Sequence, residues 1–569
     1  RNASIVDVLA NDVDPSGRLL VVQSAVAEAS DVVDVAVLRG RWVRIAATRG
    51  EIVPNPLRIQ YTITNGTGQS VTGDVSVVQL PMPADGIPNA VDDTARVRSG
   101  DTVSIAPLDN DSDPAGQPLR LLTQVEGADR VGTLPVSGLD GITTEEAGAA
   151  YVSGSTVRFQ APTVTTSTTS VVDYVVENSD GQRATGAIRI RIEPPPSADR
   201  PDRAPVPSTL EGRLVSGDSL TISIPTSGAD PDGDSVTLSG IASAPQLGRI
   251  LEQSPSSITY QAYPTSGGTD EIGYIVSDRF GKTGTGTIRI AVAPPGDPQP
   301  VVAVDDLVTV APGRALGVDV LSNDIQPIGE QATVQPLAAL NPDLPEGVAL
   351  DAESGVLGVV GPAPDEPFVV RYSIVGANGQ PSQATLTVRG RDGTNLPPLA
   401  RNAVAVPDVG ATSVSVDVLT GTVDPDDAQG RLNVTKVFNV PGATIDAGTV
   451  TVPVTDVPQV LSFEVADAGG AVTLGLIHVA VGGSGAPYVK PDTLITVDRN
   501  GTATVKLSEV ILDPGGKPVI LTTTDRLSGS PAGVLSVADE GTDAVTITAS
   551  NDYIGPAAIA VEVTNGADA

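Results

Sequence analysis

A tandem repeat constrains this chain more than anything else in it. Six segments open on an alternating strand and run into a glycine turn: YTITNGTGQ, YVVENSDGQ, YIVSDRFGK, YSIVGANGQ, FEVADAGGA and VEVTNGADA. The lead residues are Tyr61, Tyr174, Tyr274, Tyr372 and Phe463, with Val561 in the last copy, and they lie 91 to 113 residues apart. Strict alternation of apolar and polar residues is the signature of a half-buried strand. A period near 100 residues, with about seven such strands, is the size of an immunoglobulin-like sandwich.

A second signature precedes each of these strands. It is an alternating strand followed by an acidic turn: SIVDVLANDVDPSGRLL, TVSIAPLDNDSDPAGQPLRL, LTISIPTSGADPDGDSVTL, GVDVLSNDIQPIGEQATV, VSVDVLTGTVDPDDAQGRLNV and TVKLSEVILDPGGKPVIL. Together the two signatures predict an all-β chain, a linear array of six Ig-like β-sandwich domains. The repeats span 1–83, 84–196, 197–296, 297–394, 395–484 and 485–569. Composition agrees, since aromatic residues are only 3% and Gly (60) and Pro (48) are abundant. Such a chain builds many short strands separated by turns.

The joints are proline-rich: PMPADGIPNAVDD, EPPPSADRPDRAPVP, APPGDPQPVVAVDD, GTNLPPLARNAV and GGSGAPYVKPD. Proline fixes φ and lacks a backbone donor, so such spacers are extended and stiff. Six sandwiches in line, each about 35–40 Å long at ~3.3 Å per strand residue, predict a rod on the order of 200 Å. The first repeat lacks an opening strand and the last lacks a final one. These ends read as cuts in a longer array, or as edges that a neighbouring copy completes by strand addition.

The AVDD openings at residues 90–93 and 303–306, the LANDVDPSG and LDNDSDPAG turns and the tyrosine-led strands resemble bacterial tandem Ig-like (cadherin-like) repeat proteins. The resemblance covers the whole chain. It implies a secreted or surface-anchored adhesin or stalk, extracellular, with neighbouring copies, other surface proteins or glycans as partners. Its motifs specify a fold more than a function.

Charge narrows the partners further. The net charge of −34 repels phosphate backbones, which argues against nucleic acid. No apolar run is long enough to span a membrane as a helix. There is no cysteine, so thiol catalysis and disulfides are excluded. The single histidine, His478, lies in an alternating strand and is expected to face solvent. One histidine without a nucleophile motif forms no catalytic constellation, so the chain reads as no enzyme. The alternatives are a binding module or the non-catalytic part of a larger secreted enzyme.

The acidic turns admit two readings. Calcium takes six to eight oxygen ligands, and alternating aspartates can present several to one ion. The candidates are Asp12 and Asp14; Asp109, Asp111 and Asp113; Asp230, Asp232 and Asp234; and Asp424 and Asp426, followed by Asp427. Alternatively, Asp-Pro-x-Gly is simply a favoured turn that needs no metal. The fourth repeat, with Gln326, and the sixth, with a single Asp513, favour the turn reading. Trp42, with Arg41 and Arg44, is either a contact for a glycan or anionic partner or a core tryptophan between outward arginines. The repeated tyrosines read as core residues of one strand, capped by a hydroxyl hydrogen bond.

Overall fold

Repeat 3 displays the sandwich in full. In the computed structural model its seven strands are Leu210–Val215, Ser219–Ser223, Val236–Ser243, Gly248–Ser254, Ser257–Ala262, Gly268–Asp278 and Thr283–Ala293. One sheet orders them first, seventh, sixth, third; the other orders them second, fifth, fourth. The first strand runs parallel to the seventh, with Leu210 opposite Ile288. The other pairings are antiparallel. Repeats 4 and 5 have the same strand order. The structure describes residues 3–28, 32–47, 56–68, 70–78, 86–139, 147–351, 354–364, 366–393, 395–408, 410–427, 430–481, 487–490, 493–513, 516–522, 527–530, 533–550, 552–555, 557–561 and 563–565.

Alternation builds each core. In repeat 3, Ile272, Tyr274 and Val276 of the sixth strand meet Ile288, Ile290 and Val292 of the seventh and Ile258 and Tyr260 of the fifth. Glu271, immediately before Ile272 on the alternate face, is exposed. Tyr174, Tyr274, Tyr372 and Phe463 are fully buried. Each ring lies across the next strand at a residue with little or no side chain. A Cβ at Gly186, Gly286 or Gly475 would collide with its ring, and Ala384 stands opposite Tyr372. Burying a side chain of this size contributes about 2–3 kcal/mol.

Repeats distant in sequence also touch. Arg130 of repeat 2 forks onto Glu464 of repeat 5 at 2.9 and 2.6 Å, and Tyr151 donates to the same carboxylate at 2.7 Å. Tyr151, Phe438, Val472 and Leu474 form an apolar cluster beside them. Repeat 1 meets repeat 3 through Leu19, Val21, Ala291 and Ala293, and Arg289 donates to the Gly17 carbonyl at 2.6 Å. The tandem array therefore folds back on itself, and the expectation of a straight rod is corrected. The physical reason is that repeat 5 is apolar on both faces of Val472–Val479, every residue of which is buried. One face fills its own core and the other needs repeat 2.

The same contact corrects the expectation for His478. It is buried, not solvent-facing, and neither ring nitrogen has a hydrogen-bond partner. Burial first, and then the charge of Arg158, push its pKa down to about 4. No described helix is long and apolar enough to cross a membrane.

Candidate metal centre at the repeat joints

The acidic turns are Asp-Pro-x-Gly turns in their backbone. Gly17, Gly116, Gly233 and Gly516 each donate from N–H to the carbonyl of the aspartate three residues earlier, at 2.9 to 3.2 Å. Gly233 illustrates why glycine ends the turn. Its φ is +88°, and a Cβ there would lie 2.7 Å from the Val97 nitrogen of the preceding repeat. The turn of repeat 3 thus abuts the end of the first strand of repeat 2, Asp93–Arg98.

What the turn aspartate faces differs between repeats. The partner position is four residues after the lead aromatic. In repeats 1, 2 and 6 it is asparagine. Asn65 Nδ2 donates to Asp14 at 2.6 Å, Asn178 Nδ2 to Asp113 at 2.9 Å and Asn565 Nδ2 to Asp513 at 2.6 Å. The carboxylate is satisfied by a neutral donor and no ion is required. In repeat 4 the pair is Gln326 and Gly376, and Gln326 accepts from the Ala332 amide at 2.9 Å.

Repeats 3 and 5 place aspartate at the partner position. Asp278 keeps the capping role of the asparagine: its Oδ1 accepts from the Phe280 and Lys282 amides at 2.8 and 2.9 Å. Its Oδ2 has lost the donor and is buried without a partner, as is Asp230 Oδ2. Asp467 of repeat 5 behaves alike, with Oδ1 accepting from the Ala471 amide at 2.9 Å. Carboxylates brought together out of water need a cation or a proton.

Repeat 3 receives its cation from the neighbouring domain. Arg98, the last residue of the first strand of repeat 2 (Asp93–Arg98), donates from Nε and Nη2 to Asp234 at 2.9 and 2.6 Å. Nη2 also reaches Asp202 at 3.0 Å and lies 3.3 Å from Asp232, and Nη1 reaches the Pro194 carbonyl at 3.0 Å. Phe280 covers the guanidinium at 5.7 Å. Burial opposes the Arg98 cation, but Asp234, Asp232 and Asp202 hold its pKa above the ordinary value. Desolvation raises Asp234 to about 7 and Asp202 to about 6, with neighbouring carboxylates adding to the shift.

Repeat 5 has the same frame with different neighbours. Asp424, Asp426 and Asp467 bring carboxylate oxygens within 4.8 Å of one another. Asp424 Oδ1 accepts from the amides of Asp426 and Asp427 at 3.2 and 3.1 Å. Asn395 of the joint, at the place Asp202 holds in repeat 3, donates to Asp467 Oδ2 at 2.9 Å. Asp426 is fully buried, and neither of its carboxylate oxygens has a hydrogen-bond partner. Arg314, from the loop after the first strand of repeat 4 (Asp306–Val310), reaches only to 3.6 Å from Asp426 and 3.8 Å from Asp427.

Residues 85–191 and 201–291 match the bacterial Ig domain. Repeats 2 and 3 are thus similar to bacterial Ig domains. No curated protein is significantly similar to the chain. Among solved structures, the human desmocollin-1 ectodomain is 13% identical, with 83% of this chain and 97% of that one covered at a TM-score of 0.15. Sidekick-1 immunoglobulin domains 1–5 are 12% identical over 84% and 95%, at 0.20. An endo-fucoidan hydrolase of glycoside hydrolase family 107 is 14% identical over 48% and 39%, at 0.17.

The remaining candidates take other roles in these Ig-like domains. Asp12, Asp111 and, in repeat 4, Asp324 receive the hydroxyl of the buried tyrosine, at 2.9, 3.2 and 3.2 Å. Where the lead residue is Phe463, the matching position is Thr422. Asp109 is exposed. Trp42 is not in the core, which corrects that reading: Val43 and Ile45 point inward, and period-two alternation turns Trp42 and Arg44 to the other face. Trp42 is half-buried, with the Arg41 guanidinium 5.3 Å from its ring centre. Arg41 is itself bonded to Asp7 at 3.0 Å and Glu211 at 3.4 Å.

The clustered aspartates inside one turn do not by themselves distinguish the repeats. The discriminating residue lies about 40 to 65 positions further on, at the step from asparagine to aspartate in YVVEN, YIVSD and FEVAD.

Proposed function

We propose that the chain is a non-catalytic extracellular scaffold of a bacterial surface, part of a stalk or adhesive filament. Its units are the six repeats bounded as in the sequence. The observation that carries this reading is the joint itself. The acidic turn of one domain docks against the domain before it, and at the joint of repeats 2 and 3 a buried arginine closes the seam. Such a joint fixes the angle between domains, as a spacer requires. The repeat 2–repeat 5 contact then sets how far the array reaches. Its partners are neighbouring copies or other surface proteins.

Small-angle scattering and electron microscopy of the full chain test the reading. With repeat 1 against repeat 3 and repeat 2 against repeat 5, the maximum dimension is expected to fall short of the ~200 Å of six domains in line. Glu464→Ala removes the acceptor of Arg130 and Tyr151 and is expected to lengthen the particle. Repeats that tumble independently in both proteins would remove the scaffold reading. A second reading, a glycan- or protein-binding face, is favoured by Trp42, which lies outside the core with Arg41 against its ring. Loss of a glycan-array signal on Trp42→Ala would support it, and an array without signal would end it.

A further inference from the structure

We propose that Asp424, Asp426 and Asp467 form a calcium site in repeat 5, created where aspartate replaces the asparagine of the closed turns. The inference goes beyond the scaffold reading and does not depend on it. Three observations meet at this place. Three carboxylates from two separate loops converge within 4.8 Å. Asp426 is fully buried, with both oxygens lacking hydrogen-bond partners. The equivalent of Asp467 in repeats 1, 2 and 6 is an asparagine that donates to the turn aspartate.

The chemistry of the donors selects the ion. All three are hard carboxylate oxygens, and neither cysteine nor a histidine stands in the cluster, so zinc and softer metals lack their ligands. Calcium tolerates irregular geometry and completes its shell with carbonyls and water, whereas magnesium demands near-octahedral order. The only cation of the described residues within 4.0 Å of the cluster is Arg314, whose side chain is about one-third exposed. It borders the cluster without filling it, unlike Arg98 of repeat 2 at the turn of repeat 3. Asn395 ties Asp467 to the joint, so an ion here also orders the seam between repeats 4 and 5.

The test is calorimetric titration of calcium into the full chain after chelator dialysis, beside Asp467→Asn. That variant installs the residue type three other repeats already use, so it is expected to fold. The wild-type chain should bind one calcium with an affinity on the order of 0.1–1 mM, the range of extracellular modules. Asp467→Asn should bind at least about tenfold more weakly. In chelator the variant should melt above the wild type, because the introduced side-chain amide would donate to Asp424; with calcium the order should reverse. Should the variant fail to fold, Asp426→Asn replaces it with the same expectation for binding. Undiminished binding in the variants would place the ion elsewhere and overturn the proposal. So would absence of binding to the wild type at about ten times that concentration.

Discussion

The seam between repeats 2 and 3 and the seam between repeats 4 and 5 are built on one plan with two different counter-charges. Both set a turn aspartate, Asp230 or Asp424, against a second aspartate, Asp278 or Asp467, with a joint residue, Asp202 or Asn395, alongside. At the first seam Arg98, only 6% exposed, makes close bonds to Asp234 and Asp202. At the second, Arg314 stays 3.6 Å away and 35% exposed. An arginine held by the fold is always present. A site left open depends on what the solution supplies. On the calcium proposal, the same array carries a seam with its own cation beside one that takes its cation from solution.

The sharpest way to break this comparison is to delete each arginine in turn. Arg98→Ala leaves Asp234 and Asp202 buried without their cation, and is expected to cost about 3–5 kcal/mol. Arg314→Ala removes a long, partly exposed pair and should cost less than about 1 kcal/mol. Denaturant unfolding of both variants reads the difference; equal losses would mean the two seams are alike.

Acid provides a second lever on repeat 5. The folded pKa of His478 is about 4, below its ordinary 6.5. Its contribution is therefore complete above about pH 6.5 and is lost as pH falls toward 4. The shift corresponds to roughly 3 kcal/mol. Melting curves across this window should fall less steeply in His478→Leu than in the wild type. Parallel curves would show that the imidazole is not held neutral.

A further variant tests the partner position in a closed turn. Asn178→Asp in repeat 2 removes the donor to Asp113 and sets a second carboxylate against it. A loss of about 1–3 kcal/mol is expected in chelator, with partial recovery in millimolar calcium. A neutral result would mean that the asparagine hydrogen bond does not decide whether a turn is closed.

Much of the architecture was legible because local pattern and tertiary need coincide. The tyrosine leads had to be buried, since each begins an alternating strand and recurs where the core must be filled. Their hydroxyl bonds were legible as well, and the pairing of Tyr61 with Asp12 and of Phe463 with Thr422 shows why. The candidate site was harder to see. Asp424 and Asp467 are 43 residues apart, and nothing local marks Asp467 as different in kind from Asn178. His478 and Trp42 were misjudged for a related reason. Alternation assigns a residue to a face, but it does not say whether that face meets solvent, the domain core or another repeat.

The sequence by itself determined the all-β tandem array, the tyrosine-filled cores and the Asp-Pro-x-Gly turns. Each of these follows from side-chain periodicity and backbone preference within a few residues. Only the tertiary structure decided which cation faces each turn, that repeat 2 covers repeat 5, and that Asp426 is sealed from water. Those outcomes depend on groups far apart in the chain, and a buried charge is stable or costly according to what stands within a few ångströms of it.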